Sequence, residues 1–161
     1  MKKITTALLA SAIALGAFSA AQAGEIAVIV KTVNSTFWQN VQKGADAAMK
    51  DVSEHTMTFQ GPAAESAIAD QVNLVENAIN RGVAGIVLAP SDPDALVPAV
   101  KKAWEARIPV VIVDSMLADG AEQYYQSFLA TDNKKAGELA AQALIEAVGT
   151  EGKIAVMSYV A

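Results

Sequence analysis

Short apolar runs alternate with amphipathic stretches along this chain, and this alternation limits its fold more than any other feature. Apolar runs of strand length recur at intervals of roughly 25 to 30 residues, separated by stretches with helical periodicity. Hydrophobic residues make up 53% of the 161 residues, which is enough to bury a core. The pattern predicts an α/β fold, a doubly wound parallel sheet built from right-handed βαβ units.

The predicted strands are short, and most are followed by turn-forming residues. The first begins at Glu25 and is apolar enough to be buried on both faces. Five more are predicted at 56–60, 85–89, 109–113, 127–130 and 153–157.

Four helices are predicted between these strands, the first over 37–51. The second is expected to start at an N-cap, Ser66, and to stop at Arg81-Gly82, and the third to start at the turn 90–93. The inner face of the third helix is predicted to carry Val97, Val100 and Trp104, which places Trp104 in the core. Thr131 or Asp132 is expected to cap the fourth helix, which Gly149 ends.

The first 23 residues have the pattern of a secretory signal peptide. Lys2 and Lys3 precede an apolar segment at 7–18, and Ala21-Gln22-Ala23 supplies a cleavage site. The apolar segment is shorter than the ~20 residues that a membrane-spanning helix needs. We therefore expect export to the periplasm and a mature chain that starts near Gly24.

Composition excludes several classes of function. The formal net charge is −5, with basic residues scattered along the chain, which argues against binding to nucleic acid. The chain has no cysteine, so disulfides, thiolate metal ligands and lipid attachment through cysteine are ruled out. We expect neither a metal nor a cofactor.

Motifs of common enzyme classes are also missing. The sequence contains no G-x-G-x-x-G after the first strand, no phosphate-binding P-loop and no G-x-S-x-G nucleophile elbow. The single histidine, His55, lies between the first helix and the second strand, where a solvated or capping role is expected. These absences argue against a hydrolase or a dehydrogenase.

Polar residues follow four of the predicted strands. Because the carboxyl ends of parallel strands meet at one edge of a sheet, these residues are expected to lie together, where ligands bind in open α/β sheets. The candidates are Asn34 and Ser35 after the first strand, Ser91 and Asp92 after the third, Asp114 and Ser115 after the fourth, and Asp132 and Asn133 after the fifth. Carboxylates, amides and hydroxyls of this kind can recognise a neutral molecule rich in hydroxyl groups.

Structural explanations compete with the ligand-binding one at several of these positions. Asp92 and Asp132 precede helices, and the sequence favours capping for both. Asp114 has no helix directly after it, which favours a ligand role. Phe37 and Trp38 are neighbours on a helix and point about 100° apart, so we expect one ring to pack and the other to line a surface.

Several of these segments, in this order, resemble the type I periplasmic sugar-binding proteins of ABC transporters, the group similar to ribose-binding protein. The resemblance rests on the turn Asn34-Ser35-Thr36-Phe37-Trp38 and on the segments 85–92, 108–114 and 130–133. In that family two similar lobes close over a monosaccharide. The resemblance implies that Asn34, Ser35, Phe37, Trp38 and Asp114 contact sugar, and it leaves Ser115 and Asp92 as further candidates.

Two departures from the family pattern limit what the resemblance implies. Pentose-binding members typically have Asn-Pro-Phe-Phe in the first turn and arginine after the aspartate, whereas this chain has Ser35-Thr36-Phe37-Trp38 and Ser115. The missing arginine removes a multi-donor contact, which argues against ribose itself. The second departure concerns length, since members of the family have a second lobe of similar size. We expect residues 24–150 to form the amino-terminal lobe and 151–161 to begin a second lobe that is truncated in this sequence.

The sequence thus predicts the substrate-binding component of an ABC-type uptake system. It is expected to be monomeric, to bind a monosaccharide or polyol, and to deliver it to a membrane permease without a chemical step. One alternative is an exported sugar sensor that signals to a membrane receptor. Another is an exported α/β carbohydrate-active enzyme with Asp114 and Asp92 as its acid–base pair.

Overall fold

The structure, a computed structural model, describes residues 24–157. Five parallel strands form one sheet in the order β2-β1-β3-β4-β5, as predicted for an α/β fold of this class. The strands are β1 (Glu25–Ile29), β2 (Thr56–Gln60), β3 (Gly85–Leu88), β4 (Val110–Val113) and β5 (Ser127–Leu129). The order reverses between β1 and β3, which is where ligands bind in sheets with this topology.

Four helices connect or follow the strands. They are α1 (Thr36–Ala48), α2 (Ile68–Arg81), α3 (Val97–Glu105) and α4 (Asn133–Val148), with short 3-10 turns at Met49–Asp51 and Glu122–Tyr124. The cap of α1 is Ser35, whose hydroxyl accepts from the N–H of Trp38. Asp132 caps α4 in the same way, as the sequence predicted, by accepting from the N–H of Lys135.

The two faces of the sheet are covered to different extents. One face packs the strand residues Ile29, Leu88 and Ile112 against α2 and α3, and these three side chains are fully buried. The other face carries a smaller cluster around Val28, Val30, Trp38 and Ala89, on the side of α1. Three consecutive residues of β1 are buried, which confirms the prediction that this strand is buried on both faces.

Backbone hydrogen bonds hold the carboxyl ends of the strands in line. The N–H of Val30 donates to Gln60 at 2.8 Å, and the N–H of Ala89 donates to Ile29 at 2.9 Å. The N–H of Asp114 continues the pattern by donating to the carbonyl of Leu129 at 2.9 Å. The residues that follow β1, β3 and β4 therefore start from a common edge.

Two helix starts differ from the prediction. Ser66 does not cap α2; the cap position is Ala67, without a side-chain hydrogen bond, because residues 65–66 form a turn before the helix. The third helix begins at Val97, later than predicted, since a turn at 91–96 precedes it.

Trp104 was predicted to lie in the core, and this is wrong. Its side chain is 49% exposed and packs edge-to-face on Tyr124, with ring centroids 5.7 Å apart. The buried positions of α3 are Ala99, Val100 and Ala103. Small side chains on this face bring the helix close to the sheet and leave the large indole at its flank.

The part of the chain after β5 contributes no buried residue to the described structure. Every residue from 129 to 157 is exposed, including all of α4 and its apolar side chains. The predicted strand at 153–157 is not formed, because a strand requires a neighbour to hydrogen-bond with and no other strand pairs with this segment.

Among residues 24–157, no helix is long and apolar enough to cross a membrane.

Candidate functional site

A polar depression of about 290 Å³ lies at the carboxyl edge of the sheet, where β1 and β4 end. Four of the seven predicted site residues line it: Ser35, Phe37, Trp38 and Asp114. Two residues that the sequence analysis did not select, Lys31 and Glu65, complete its lining.

The charged centre of the depression is an ion pair between Lys31 and Asp114. Lys31 Nζ lies 2.8 Å from Asp114 Oδ2 and donates to Ser115 Oγ at 2.6 Å. The Ser115 hydroxyl in turn donates to Asp114 Oδ2 at 3.0 Å. Among the described residues only Oδ2 of this carboxylate is engaged, which leaves Oδ1 as an acceptor and part of the ammonium as a donor.

Asp114 has an uncommon backbone conformation. Its φ is +67°, in the left-handed region that few residues other than glycine adopt, although aspartate tolerates it better than most. The turn ends β4 and places the carboxylate beside Lys31 with the Asp114 side chain 35% exposed. A strained position that holds a half-exposed charge in a depression is characteristic of a functional residue.

The two aromatic residues divide between core and surface, as predicted. Trp38 is 3% exposed and belongs to the smaller core cluster, whereas Phe37 is 57% exposed. Their rings pack edge-to-face, with centroids 4.9 Å apart and planes at 85°. Phe37 therefore presents a ring to solvent, and Trp38 holds it from behind.

Glu65 is connected to this aromatic pair. The indole Nε1 of Trp38 donates to Glu65 Oε1 at 3.3 Å, which satisfies the polar end of an otherwise buried ring. The Glu65 side chain reaches the depression from the loop that follows β2.

Asn34 and Ser35 hold the turn in shape. The side-chain amide of Asn34 donates to the carbonyl of Ala63 at 2.9 Å, and its backbone N–H donates to Thr32 Oγ1 at 3.2 Å. Ser35 caps α1 and lines the depression, whereas Asn34 does not line it. In this structure both residues therefore fix the path of the chain between β1 and α1.

Asp92 does not line the depression. Its Oδ1 accepts from the backbone N–H groups of Asp94 at 3.0 Å and Ala95 at 2.7 Å, so it stabilises the turn before α3. The sequence favoured a helix cap here, and this is wrong, because α3 starts later, with Leu96 at its N-cap position. The enzyme alternative paired Asp92 with Asp114 as acid and base, and the structure does not assemble that pair in the depression.

Among the described residues, neither the histidine nor a metal site forms a second reactive centre. Half-buried His55 lies at the amino ends of β1 and β2, where its Nδ1 is 3.3 Å from the backbone nitrogen and 3.2 Å from the carbonyl oxygen of Gly24, consistent with the predicted capping role. Within residues 24–157, no group of three or more histidine, cysteine or acidic side chains is placed to hold a metal ion.

Sequence reasoning missed Lys31 and Glu65 for different reasons. Lys31 is a charged residue that comes directly after the apolar run of β1, and this signal was available in the sequence. Glu65 has no comparable signal, since its place depends on how the loop after β2 folds back toward Trp38.

A parallel α/β sheet with a polar site at the carboxyl ends of its strands is typical of ligand-binding α/β proteins. Comparison with known proteins identifies the family. A family described as the periplasmic binding protein domain matches residues 26–161, so this chain belongs to the periplasmic binding protein family. The resemblance identified from the sequence is thereby confirmed.

Individual relatives bind sugars. The chain is 31% identical over 138 residues to the D-allose-binding periplasmic protein of Escherichia coli, covering 83% of this chain and 44% of that protein. It is 83% identical to an ABC transporter solute-binding protein from Agrobacterium vitis with bound D-fucose, with a TM-score of 0.81, covering 86% of this chain and 48% of that one. A second Agrobacterium vitis solute-binding protein, bound to α-D-tagatopyranose, is 32% identical with a TM-score of 0.70, covering 78% and 44%. The chain thus spans about half the length of these relatives.

Proposed function

We propose that this chain supplies one wall of the sugar-binding cleft in the substrate-binding component of an ABC-type uptake system. The observation that carries the proposal is the Lys31–Asp114–Ser115 cluster, which lies beside the exposed Phe37 ring at the edge of the sheet. The fold supports it, because this edge is where ligands bind in open α/β sheets.

The chemistry of the cluster suits a monosaccharide or polyol. A free carboxylate oxygen accepts from a ligand hydroxyl in a charge-assisted bond worth about 1.5–3 kcal/mol, and the ammonium donates to another ligand oxygen. The Phe37 ring provides an apolar surface for the C–H face of a sugar. These groups bind and orient, and no chemical step is proposed.

The remaining parts of the proposal concern location and partners. The predicted signal peptide at 1–23 lies outside the described residues, and membership of a periplasmic family supports export to the periplasm. In the proposed role a monomer delivers sugar to a permease of the inner membrane. Residues 24–150 would form the first lobe, and the chain from 151 onward would begin the second.

D-Fucose is the first ligand to test, because the 83% identical relative contains it. Binding is measured by titration calorimetry on residues 24–161 and on a hybrid protein, in which residues 26–161 replace the matching segment of that Agrobacterium vitis relative. We expect the hybrid to bind well and the shorter chain poorly, since the shorter chain encloses the ligand on one side only.

Asp114→Asn tests the central residue of the site. Asparagine has nearly the same shape and tolerates a positive φ, so the change removes charge with little backbone strain. We expect at least a tenfold weaker affinity for D-fucose in the hybrid, which corresponds to about 1.4 kcal/mol.

Asp119→Asn is the matched control, since Asp119 is exposed and does not line the depression. The affinity of the Asp119→Asn hybrid for D-fucose should stay close to that of the unmodified hybrid. Equal affinities for the two variants would contradict the role of Asp114, and absence of D-fucose binding by the unmodified hybrid would contradict the proposed ligand.

A further inference from the structure

Gln71, in the first turn of α2, has a polar side chain that is completely buried, with 0% of its surface exposed. Its Nε2 donates to the carbonyls of Val30 at 3.1 Å and Ala89 at 2.8 Å. Its Oε1 accepts from the N–H of Ser91 at 2.8 Å. Both N–H groups and the oxygen of the carboxamide are thus engaged with backbone atoms of two different strand ends.

These backbone groups need a partner because they lie just beyond the strands. Val30 follows the last residue of β1, and Ala89 follows the last residue of β3. A buried carbonyl without a hydrogen bond costs about 1–3 kcal/mol. The carboxamide of Gln71 therefore takes the place of the sheet hydrogen bonds that have ended, and it joins β1 to β3 where the strand order reverses.

The joined strand ends lead directly into the proposed site. Val30 immediately precedes Lys31, whose ammonium reaches Asp114 and Ser115. The backbone position of Lys31 thus depends on the carbonyl that Gln71 holds. No other uncharged side chain of this length supplies two donors and one acceptor in a planar group.

We infer that Gln71 is a positioning residue of the ligand site, which joins the carboxyl ends of β1 and β3 and thereby sets where Lys31 stands relative to Asp114. The expected effect of Gln71 on ligand affinity rests on the proposed function. Gln71 touches no ligand in this scheme and acts through Lys31.

The first test is Gln71→Met in the hybrid, because methionine has a similar length and volume but forms none of the three hydrogen bonds. D-Fucose affinity and the thermal midpoint are both measured, with the titration performed well below the midpoint. We expect affinity to fall at least tenfold. Asn73→Leu, which removes an exposed amide from the same helix, should change affinity by less than about twofold.

A double-mutant cycle distinguishes positioning from a general loss of stability. If Gln71 acts through Lys31, the effect of Gln71→Met on affinity should largely disappear when Lys31→Met is already present. A lowered midpoint with unchanged affinity, or an undiminished effect in the Lys31→Met background, would overturn the inference. If Gln71→Met does not fold, Gln71→Asn serves instead, since its shorter carboxamide cannot span the same three atoms.

A measurement without ligand separates this inference from the proposed function. In residues 24–161, Gln71→Met should shift the amide NMR signals of Lys31 and Asp114 more than Asn73→Leu does. Absence of D-fucose binding by the unmodified hybrid would contradict the proposed ligand only, and the amide signals would still decide the role of Gln71. Unshifted Lys31 and Asp114 signals would refute it.

Discussion

Individual residues in this protein combine roles that the sequence suggests separately. Asp114 ends a strand, adopts a positive φ and pairs with Lys31, so one position carries backbone strain and the central charge of the proposed site. Ser115 bridges the two charged groups through one hydroxyl. Substitutions at these positions therefore test local stability and binding together, which is why Asp114→Asn is more informative than Asp114→Ala.

Glu25 forms an ion pair at the opposite edge of the sheet. Arg81 donates to both of its oxygens, at 2.6 and 3.1 Å, and Thr58 donates to Oε1 at 2.6 Å. These hydrogen bonds, that of Arg81 first, hold the pKa of the Glu25 carboxyl below its ordinary value of 4.5. The ionised carboxylate is therefore stabilised in the folded protein relative to the unfolded chain.

Glu25→Gln should consequently lower the free energy of unfolding at pH 7, by up to about 1 kcal/mol for a partly exposed pair. A lowered pKa contributes stability above the unfolded value, and this contribution is lost as pH falls through the folded value. Urea denaturation at several pH values measures it, with Glu105→Gln as a control in a more exposed pair. A constant difference between wild type and Glu25→Gln from pH 7 down to pH 3 would contradict this explanation.

At the scale of the elements, the ends of the helices decide how each unit returns to the sheet. Gly82 ends α2 with a φ of +68°, as the Arg81-Gly82 pair in the sequence predicted. The N–H of Gly82 donates to Ile79 at 2.9 Å, which satisfies a carbonyl of the last turn. A Cβ at this position would have space around it, so the conformation alone requires glycine.

Gly82→Ala should therefore destabilise the protein by about 1 kcal/mol. Gly44 is the matched control, because it lies inside α1 and a Cβ there also meets nothing within 4 Å. Gly44→Ala should stabilise by about 0.5–1 kcal/mol, since alanine loses less entropy in a helix. Chemical denaturation of both variants measures the two effects, and changes of the same sign would contradict the conformational argument.

For the whole molecule, the described structure divides into a packed α/β body and an exposed segment after β5. Helices α2 and α3 cover one face of the sheet, whereas α1 covers the other face only in part. A groove of about 470 Å³ remains on that second face, lined by apolar residues of α1 and of strands including β1, β3 and β4. Helix α4 has no buried residue that contributes to either core.

Removal of residues 133–161 should therefore change the free energy of unfolding of the packed body by less than about 1 kcal/mol, or a few degrees in thermal midpoint. Removal from residue 127 onward also deletes β5, whose backbone pairs with β4, and should destabilise clearly more. Thermal unfolding followed by circular dichroism measures both. A loss of several kcal/mol after the first truncation would show that α4 packs on the body in solution.

The sequence alone determined the features that depend on local patterns. Apolar runs and helical periodicity predicted the α/β class and the five strands of the sheet, and the turn after β1 predicted one buried and one exposed aromatic ring. Signals that end a helix, such as Gly82 after α2, are equally local. Local pattern did not determine the helix caps, since Ser66 and Asp132 have the same signal and, of these two, only Asp132 acts as a helix cap.

Tertiary structure decided which side chains meet. Lys31 and Asp114 are 83 positions apart, and only the pairing of β1, β3 and β4 at one edge brings them to 2.8 Å. Nothing in the sequence distinguishes Gln71 from other helical residues, and only the structure shows that its carboxamide joins the ends of two strands. Local propensity acts over a few neighbouring residues, whereas the proposed site is built from atoms that lie close only after the sheet has formed.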